Sequence, residues 1–113
     1  FGIVTLHHGI IEVASAPAQF PLEYQDDLFV AFHGSWNTSL ANARDCKIQR
    51  IRIEGGQPTT SESFVNGWRA PGETCSGANA FGRPADVAVN GAGEMFISDD
   101  VSNAIYRVIY VGP

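Results

Sequence analysis

Short apolar runs alternate with turn-forming clusters along this chain, and the 3.6-residue apolar stripe of an amphipathic helix is almost nowhere to be seen. Twelve glycines and six prolines interrupt it, and the longest stretch free of both, "TSLANARDCKIQRIRIE", carries no such stripe along its length. Strand signals take its place. "DLFVAF" (27–32) is a short buried-strand run, and in "KIQRIRIE" (47–54) Ile51 and Ile53 fall on one face with Arg50 and Arg52 on the other. "PADVAV" (84–89) alternates through Val87 and Val89. "EMFIS" (94–98) and "NAIYRVIYV" (103–111) follow the turn signals "NGAGE" and "DDVSN". The pattern predicts an all-β chain.

The two halves repeat. "DLFVAFHGSWN…CKIQRIRIEGG" matches "EMFISDDVSN…AIYRVIYVGP": an apolar strand, a polar turn, then a strand of the form apolar-x-Arg-apolar-x-apolar. Arg50 corresponds to Arg107 and Gly55 to Gly112, and the first copy carries about ten more residues between its strands. Antiparallel units recurring at some 60 residues are the one-dimensional signature of β-propeller blades, although a sandwich gives the same strand count. As a propeller piece the chain holds about two four-stranded antiparallel blades within a single partial segment, 1–113, one blade over roughly 20–68 and the next over 83–111. Two blades alone leave their outer faces and edges open. The ring must then be completed by missing sequence or by other chains.

Charge and cysteines narrow the setting. The net charge of −5 comes from 12 acids against 7 scattered bases, which argues against nucleic acid or an anionic membrane as partner. No apolar segment approaches the roughly 20 residues that cross a bilayer, and no signal-peptide pattern opens the chain, so it reads as soluble as it stands. It starts at Phe1 without an initiator Met, as a processed product, a cleaved fragment or an incomplete sequence would. Cys46 and Cys75 are either two thiols of a reduced chain or a disulfide closing a loop of about 30 residues in an oxidising compartment. Asn37-Thr38-Ser39 forms a glycosylation sequon, a triplet that also arises by chance. Together these lean towards secretion.

Three stretches carry candidate chemistry. In "FHGSWN" (32–37) Gly34 permits a tight turn and Ser35 and Asn37 can bond turn amides, but a turn does not call for His33 and Trp36. They are either channel-facing ligand contacts or a satisfied structural histidine and a packed tryptophan. In "AFGRPADVAV" (80–89) Pro84 holds Arg83 extended and Gly82 allows close backbone approach, so the guanidinium leaves the strand start in a fixed direction. That suits a carboxylate or phosphate, or equally a bridge to a nearby acid such as Asp86. "ISDD" (97–100) ends a strand with two carboxylates, a pattern of turn-amide acceptors rather than calcium ligands, which require several more oxygens. His7 and His8 point to opposite faces of a strand and lack a third ligand at useful spacing, so they read as structural and no metal ligand is assigned.

"YQDDLFVAFHGSWN", "CKIQRIRI", "FVNGWRAPGETC" and "FGRPADVAVNGAGEMFISDDVSNAIYRVIY" resemble the C-terminal part of the sorbosone and pyranose dehydrogenase family, its fungal secreted branch in particular. The resemblance runs from about Phe20 onward and is carried by HGSWN, GRP, SDD and IYR together. It implies a six-bladed β-propeller that binds pyrroloquinoline quinone (PQQ) and calcium and oxidises sugars. It places His33, Trp36, Asn37 and Arg83 on the channel side as cofactor-binding residues, with His33 and Arg83 foremost, because a guanidinium and an imidazole suit a tricarboxylated quinone. In the family's chemistry a sugar C1 hydride passes to the quinone while a histidine removes the hydroxyl proton and calcium polarises the quinone. Two departures stand out: Thr38 replaces the arginine that usually follows HGSWN, and no residue matches the catalytic base, a role not given to His7, His8 or His33.

The leading expectation is therefore the C-terminal segment of a secreted PQQ-dependent sugar dehydrogenase, with a sugar and the remaining blades or like chains as partners. The alternative is a lectin-like, non-catalytic carbohydrate-binding module built by oligomerisation of a short propeller chain. A third is a propeller relic with structural roles only.

Overall fold

A computed structural model of the chain describes residues 10–15, 19–35, 45–75 and 79–113. Among the described residues, seven strands form two antiparallel sheets in which neighbours in sequence are neighbours in space. The first sheet is β1 (Ile10–Ser15), β2 (Leu28–His33), β3 (Cys46–Glu54) and β4 (Gln57–Val65), in that order; the second is β5 (Pro84–Val89), β6 (Met95–Asp99) and β7 (Ala104–Val108). The chain is all-β, as the period-2 patterning requires. No described helix is long and apolar enough to cross a membrane.

One core joins the sheets. Cross-strand partners share a face, so Phe29 with Arg50 and Ala31 with Ile48 line one face of the first sheet, while Val87 with Ile97 and Met95 with Val108 line one face of the second. Phe29, Ala31, Ile48, Val87, Met95 and Ile97 form a single buried cluster closed by Trp68, and β5 lies across β1 and β2. Phe20, Tyr24 and Phe64 extend it, with the Phe29 and Phe64 rings edge to face at 4.8 Å.

The sequence repeat is also a structural one. β2 and β3 superpose in register on β6 and β7: Phe29 faces Arg50 as Phe96 faces Arg107, and Leu28 faces Ile51 as Met95 faces Val108. The acid before each first strand binds the arginine of the next, Asp27 to Arg50 Nε at 2.6 Å and Glu94 to Arg107 Nε. Even the backbone turns agree. Asp26 and Gly93, which precede the two acids, have φ of 67° and 79°, and Gly55 and Gly112, which follow the two arginine strands, have 60° and 94°.

β1 and β4 are additions to the five strands read from the pattern. β4 is exposed over its first seven residues and carries no apolar face, so its sequence holds no alternation to read. It forms because the Gly55-Gly56 turn returns the chain alongside β3.

Candidate functional site

The three polar stretches that interrupt the strand pattern meet at one end of the two sheets, although His33 lies 50 residues before Arg83 and 67 before Asp100. β2 delivers His33 and Gly34, the start of β5 delivers Gly82 and Arg83, and the end of β6 delivers Asp99 and Asp100. The meander explains the convergence. β2 and β6 run the same way as equivalent strands of the repeat, and β5, antiparallel to β6, begins where β6 ends.

Arg83 is fixed from two sides. Its backbone N–H donates to Asp99 Oδ1 at 2.9 Å and its Nε donates to the His33 carbonyl at 2.7 Å. Its Nη2 is buried and has no hydrogen-bond partner among the described residues. The bridge to Asp86 considered from the sequence does not form; Asp86 Oδ1 instead accepts from the N–H of Val87 at 2.7 Å. Gly34 makes room for the arginine. At φ +87° it adopts a backbone that favours glycine, and a Cβ there would lie 2.8 Å from the Cys75 carbonyl oxygen and 3.4 Å from Arg83 Nε.

Asp99 is the hub of the turn. It is 3% exposed, and its Oδ1 accepts from the N–H groups of Arg83, Val101 and Ser102 while Oδ2 accepts from the Tyr106 hydroxyl at 3.2 Å. Burial pushes its carboxyl up, but the N–H groups of Arg83, Ser102 and Val101 outweigh that and hold it below the usual aspartate range. Gly82 is required by this arrangement, since a Cβ there would sit 2.0 Å from Asp99 Oδ2. With its lone pairs engaged Asp99 fixes the turn, the amide-accepting role the ISDD pattern predicts.

Asp100 has a different task. Its Oδ1 lies 2.8 Å from His33 Nε2, and because an ionised carboxylate only accepts, the imidazole donates Nε2–H there and keeps Nδ1 for another partner. His33 and Asp100 occupy corresponding turns of the two repeats. Trp36 and Asn37, with the sequon that begins at Asn37, lie outside the described residues, as do His7, His8 and Thr38.

Cys46 and Cys75 are joined in a disulfide, with Cα atoms 5.6 Å apart. It ties the start of β3 to the segment leading into β5, and the Cys75 carbonyl accepts from the Ser35 N–H at 3.3 Å, so the bridge braces the turn after His33. Beside it a recess of about 310 Å³ is lined by Asp45, Ser63, Asn66 and Arg69. Its charges answer one another: Arg69 Nε donates to Asp45 Oδ1 at 2.6 Å, and that bond holds the Asp45 carboxyl below its usual range.

The sequence flagged His33, Arg83, Asp99 and Asp100 separately and missed two members of the cluster. Tyr106 reaches Asp99 from β7, and Trp68 stacks edge to face on Tyr106 at 5.6 Å. No family model and no solved structure matches the chain. A protein of Borreliella burgdorferi named only as an uncharacterized protein is 36% identical over 93 residues, which make up 80% of this chain and 23% of that protein. The chain thus spans about a quarter of the length of the curated relative it matches.

Proposed function

We propose that this chain is a two-blade segment of a six-bladed propeller from a secreted PQQ-dependent sugar dehydrogenase of the sorbosone and pyranose type, and that Arg83 receives a carboxylate of the quinone. The observation that carries the reading is Arg83 itself. Its backbone and Nε are anchored and its Nη2 is buried without a partner among the described residues, which is the state of a guanidinium prepared for an anion. Asp99 is answered by its donors and Asp100 by His33, so the cationic charge left over at this end is that of Arg83. A tricarboxylated quinone would bring such an anion. When bound it would supply the hydride acceptor that side chains lack. His33 would orient against it through Nδ1, its Nε2–H held by Asp100.

The ring is supported by how the sheets stack. The Phe29–Ile48 face of the first sheet packs on the Met95–Ile97 face of the second, a head-to-tail arrangement that repeats rather than closing on itself. The face of the second sheet equivalent to Phe29–Ile48 is open: Ile48 is 0% exposed and its counterpart Ile105 is 73% exposed. A relative roughly four times longer than the matched stretch is long enough for the further sheets. The disulfide suits an oxidising compartment. Among the described residues no three His, Cys, Asp or Glu side chains gather around a common point, so the calcium implied by the resemblance would take its ligands from elsewhere.

The open face favours a second reading as well, in which like chains complete the ring as a carbohydrate-binding module without redox chemistry. Titrating PQQ into the protein and following the quinone absorbance separates the two. The dehydrogenase reading expects binding that Arg83→Ala weakens roughly ten- to a hundred-fold, the worth of a charge-assisted hydrogen bond, and that His33→Ala weakens less. Binding indifferent to Arg83 would overturn it, and so would sugar binding with no quinone binding.

A further inference from the structure

The carbonyl that aims Arg83 belongs to the peptide between His33 and Gly34, and the two bridged cysteines reach that peptide from different elements. β2–β3 pairing sets Cys46 directly across from His33. Cys75 arrives from the segment that leads from β4 to β5. Its carbonyl accepts from the Ser35 N–H at 3.3 Å, and a Cβ on Gly34 would lie 2.8 Å from that carbonyl oxygen and 3.0 Å from Cys75 Sγ. Arg83 Nε lies against the same glycine, 3.4 Å from that Cβ position, and donates to the His33 carbonyl at 2.7 Å. Both cysteines are 1% exposed, so their sulfurs belong to the packing that confines the peptide.

That peptide needs confining. A glycine at φ +87° samples both signs of φ at little cost, so nothing intrinsic to Gly34 fixes the plane of the bond before it. The β2–β3 ladder ends at the His33–Cys46 pair, and on the Gly34 side of the peptide the neighbour is Cys75. The two bonds that anchor Arg83 therefore depend on different parts of the chain. Its backbone N–H goes to Asp99 in the β6 turn, whereas its Nε depends on where the His33 carbonyl points. A carbonyl turned away would free Nε, and with it the direction of the buried, unpartnered Nη2.

We propose that Cys75, through its bond to Cys46, is a positioning residue for Arg83: it fixes the His33–Gly34 peptide, whose carbonyl holds Nε and keeps Nη2 turned towards the anion. The inference rests on Arg83 as the anion-binding group, but its first test needs no quinone, so the two can fail separately. The side-chain Nε–H resonance of Arg83, assigned by its loss in Arg83→Lys, is followed beside that of Arg50, whose Nε is bonded to buried Asp27. In Cys46→Ala/Cys75→Ala the exchange of the Arg83 Nε–H with water should quicken by about ten-fold or more while that of Arg50 stays as it was. Reducing the unmodified protein with a dithiol, which passes two electrons and two protons to the sulfurs and leaves as its cyclic disulfide, should give the same result without a substitution. An Arg83 signal indifferent to the bridge overturns the proposal. So does loss of protection at Arg83 and Arg50 together, which would make the bridge a staple of the whole fold.

Titration with PQQ then reads the consequence. The double alanine variant should bind about ten-fold more weakly than the parent, and in an Arg83→Ala background removal of the bridge should change nothing. Equal weakening in both backgrounds would overturn the positioning role. Release of Arg83 in a protein that binds no quinone would uphold that role and strike the quinone instead.

Discussion

At Asp99 one carboxylate holds a turn together by accepting from three backbone N–H groups and a tyrosine hydroxyl. Burial alone would raise its pKa, and the direction is nevertheless downward because those donors favour the charged form. A group whose folded pKa is depressed contributes stability that is fully present above its unfolded value, about 3.9, and is lost as pH falls through the folded value. Urea midpoints measured from pH 6 downward should therefore fall in the acid range, and the decline should be shallower in Asp99→Asn. The same variant should be less stable at neutral pH. Equal slopes for the two proteins would assign acid sensitivity to other groups.

At the scale of elements, one motif sits in two environments. Asp27 and Arg50 are each about 3% exposed and Arg50 also reaches Glu62 and the ring of Tyr24, which makes this arginine the peg joining β2, β3, β4 and the turn at Leu22–Tyr24. Glu94 and Arg107 form the same pair with the arginine largely in solvent. Asp27→Ala leaves a buried guanidinium short of its partner and should cost about 3–5 kcal/mol, whereas Glu94→Ala removes a pair whose arginine stands largely in solvent and should cost clearly less. Equilibrium denaturation of both variants checks the contrast, and similar losses would mean that burial is not what separates them. The repeat that makes this comparison possible was legible from the sequence, because apolar strands and the apolar-x-Arg-apolar phrase leave a period-2 signal. β4 was not, since Gln57–Ser63 buries neither face and follows β3 only through its turn. The site was legible in pieces: the turns containing His33, Arg83 and Asp99–Asp100 each broke the strand pattern. Their meeting was not, because pairing between residues 67 apart, such as His33 and Asp100, is set by sheet stacking and leaves no local trace.

For the molecule as a whole, the stacking has a direction. Each sheet presents one face forward and the equivalent of its neighbour's buried face behind, so two sheets satisfy one contact and leave the outer face of the second unmatched. Ile105, Ile109, Tyr110 and Val111 are the exposed apolar residues at the β7 end, and a surface of that kind associates. Light scattering on the isolated protein should give a mass above that of one chain, reduced by Ile105→Asp. A monodisperse single chain that unfolds cooperatively would show that two sheets suffice.

The disulfide carries a consequence for any protease that meets this protein. Cys46 lies in the first sheet and Cys75 beyond its last strand, so every peptide bond of the exposed Gly55-Gly56 turn falls between the two bridged residues. A cut there releases nothing. The nicked chain should run as a single band until reductant is added and then as two, and until that moment the two pieces of backbone remain one covalent molecule.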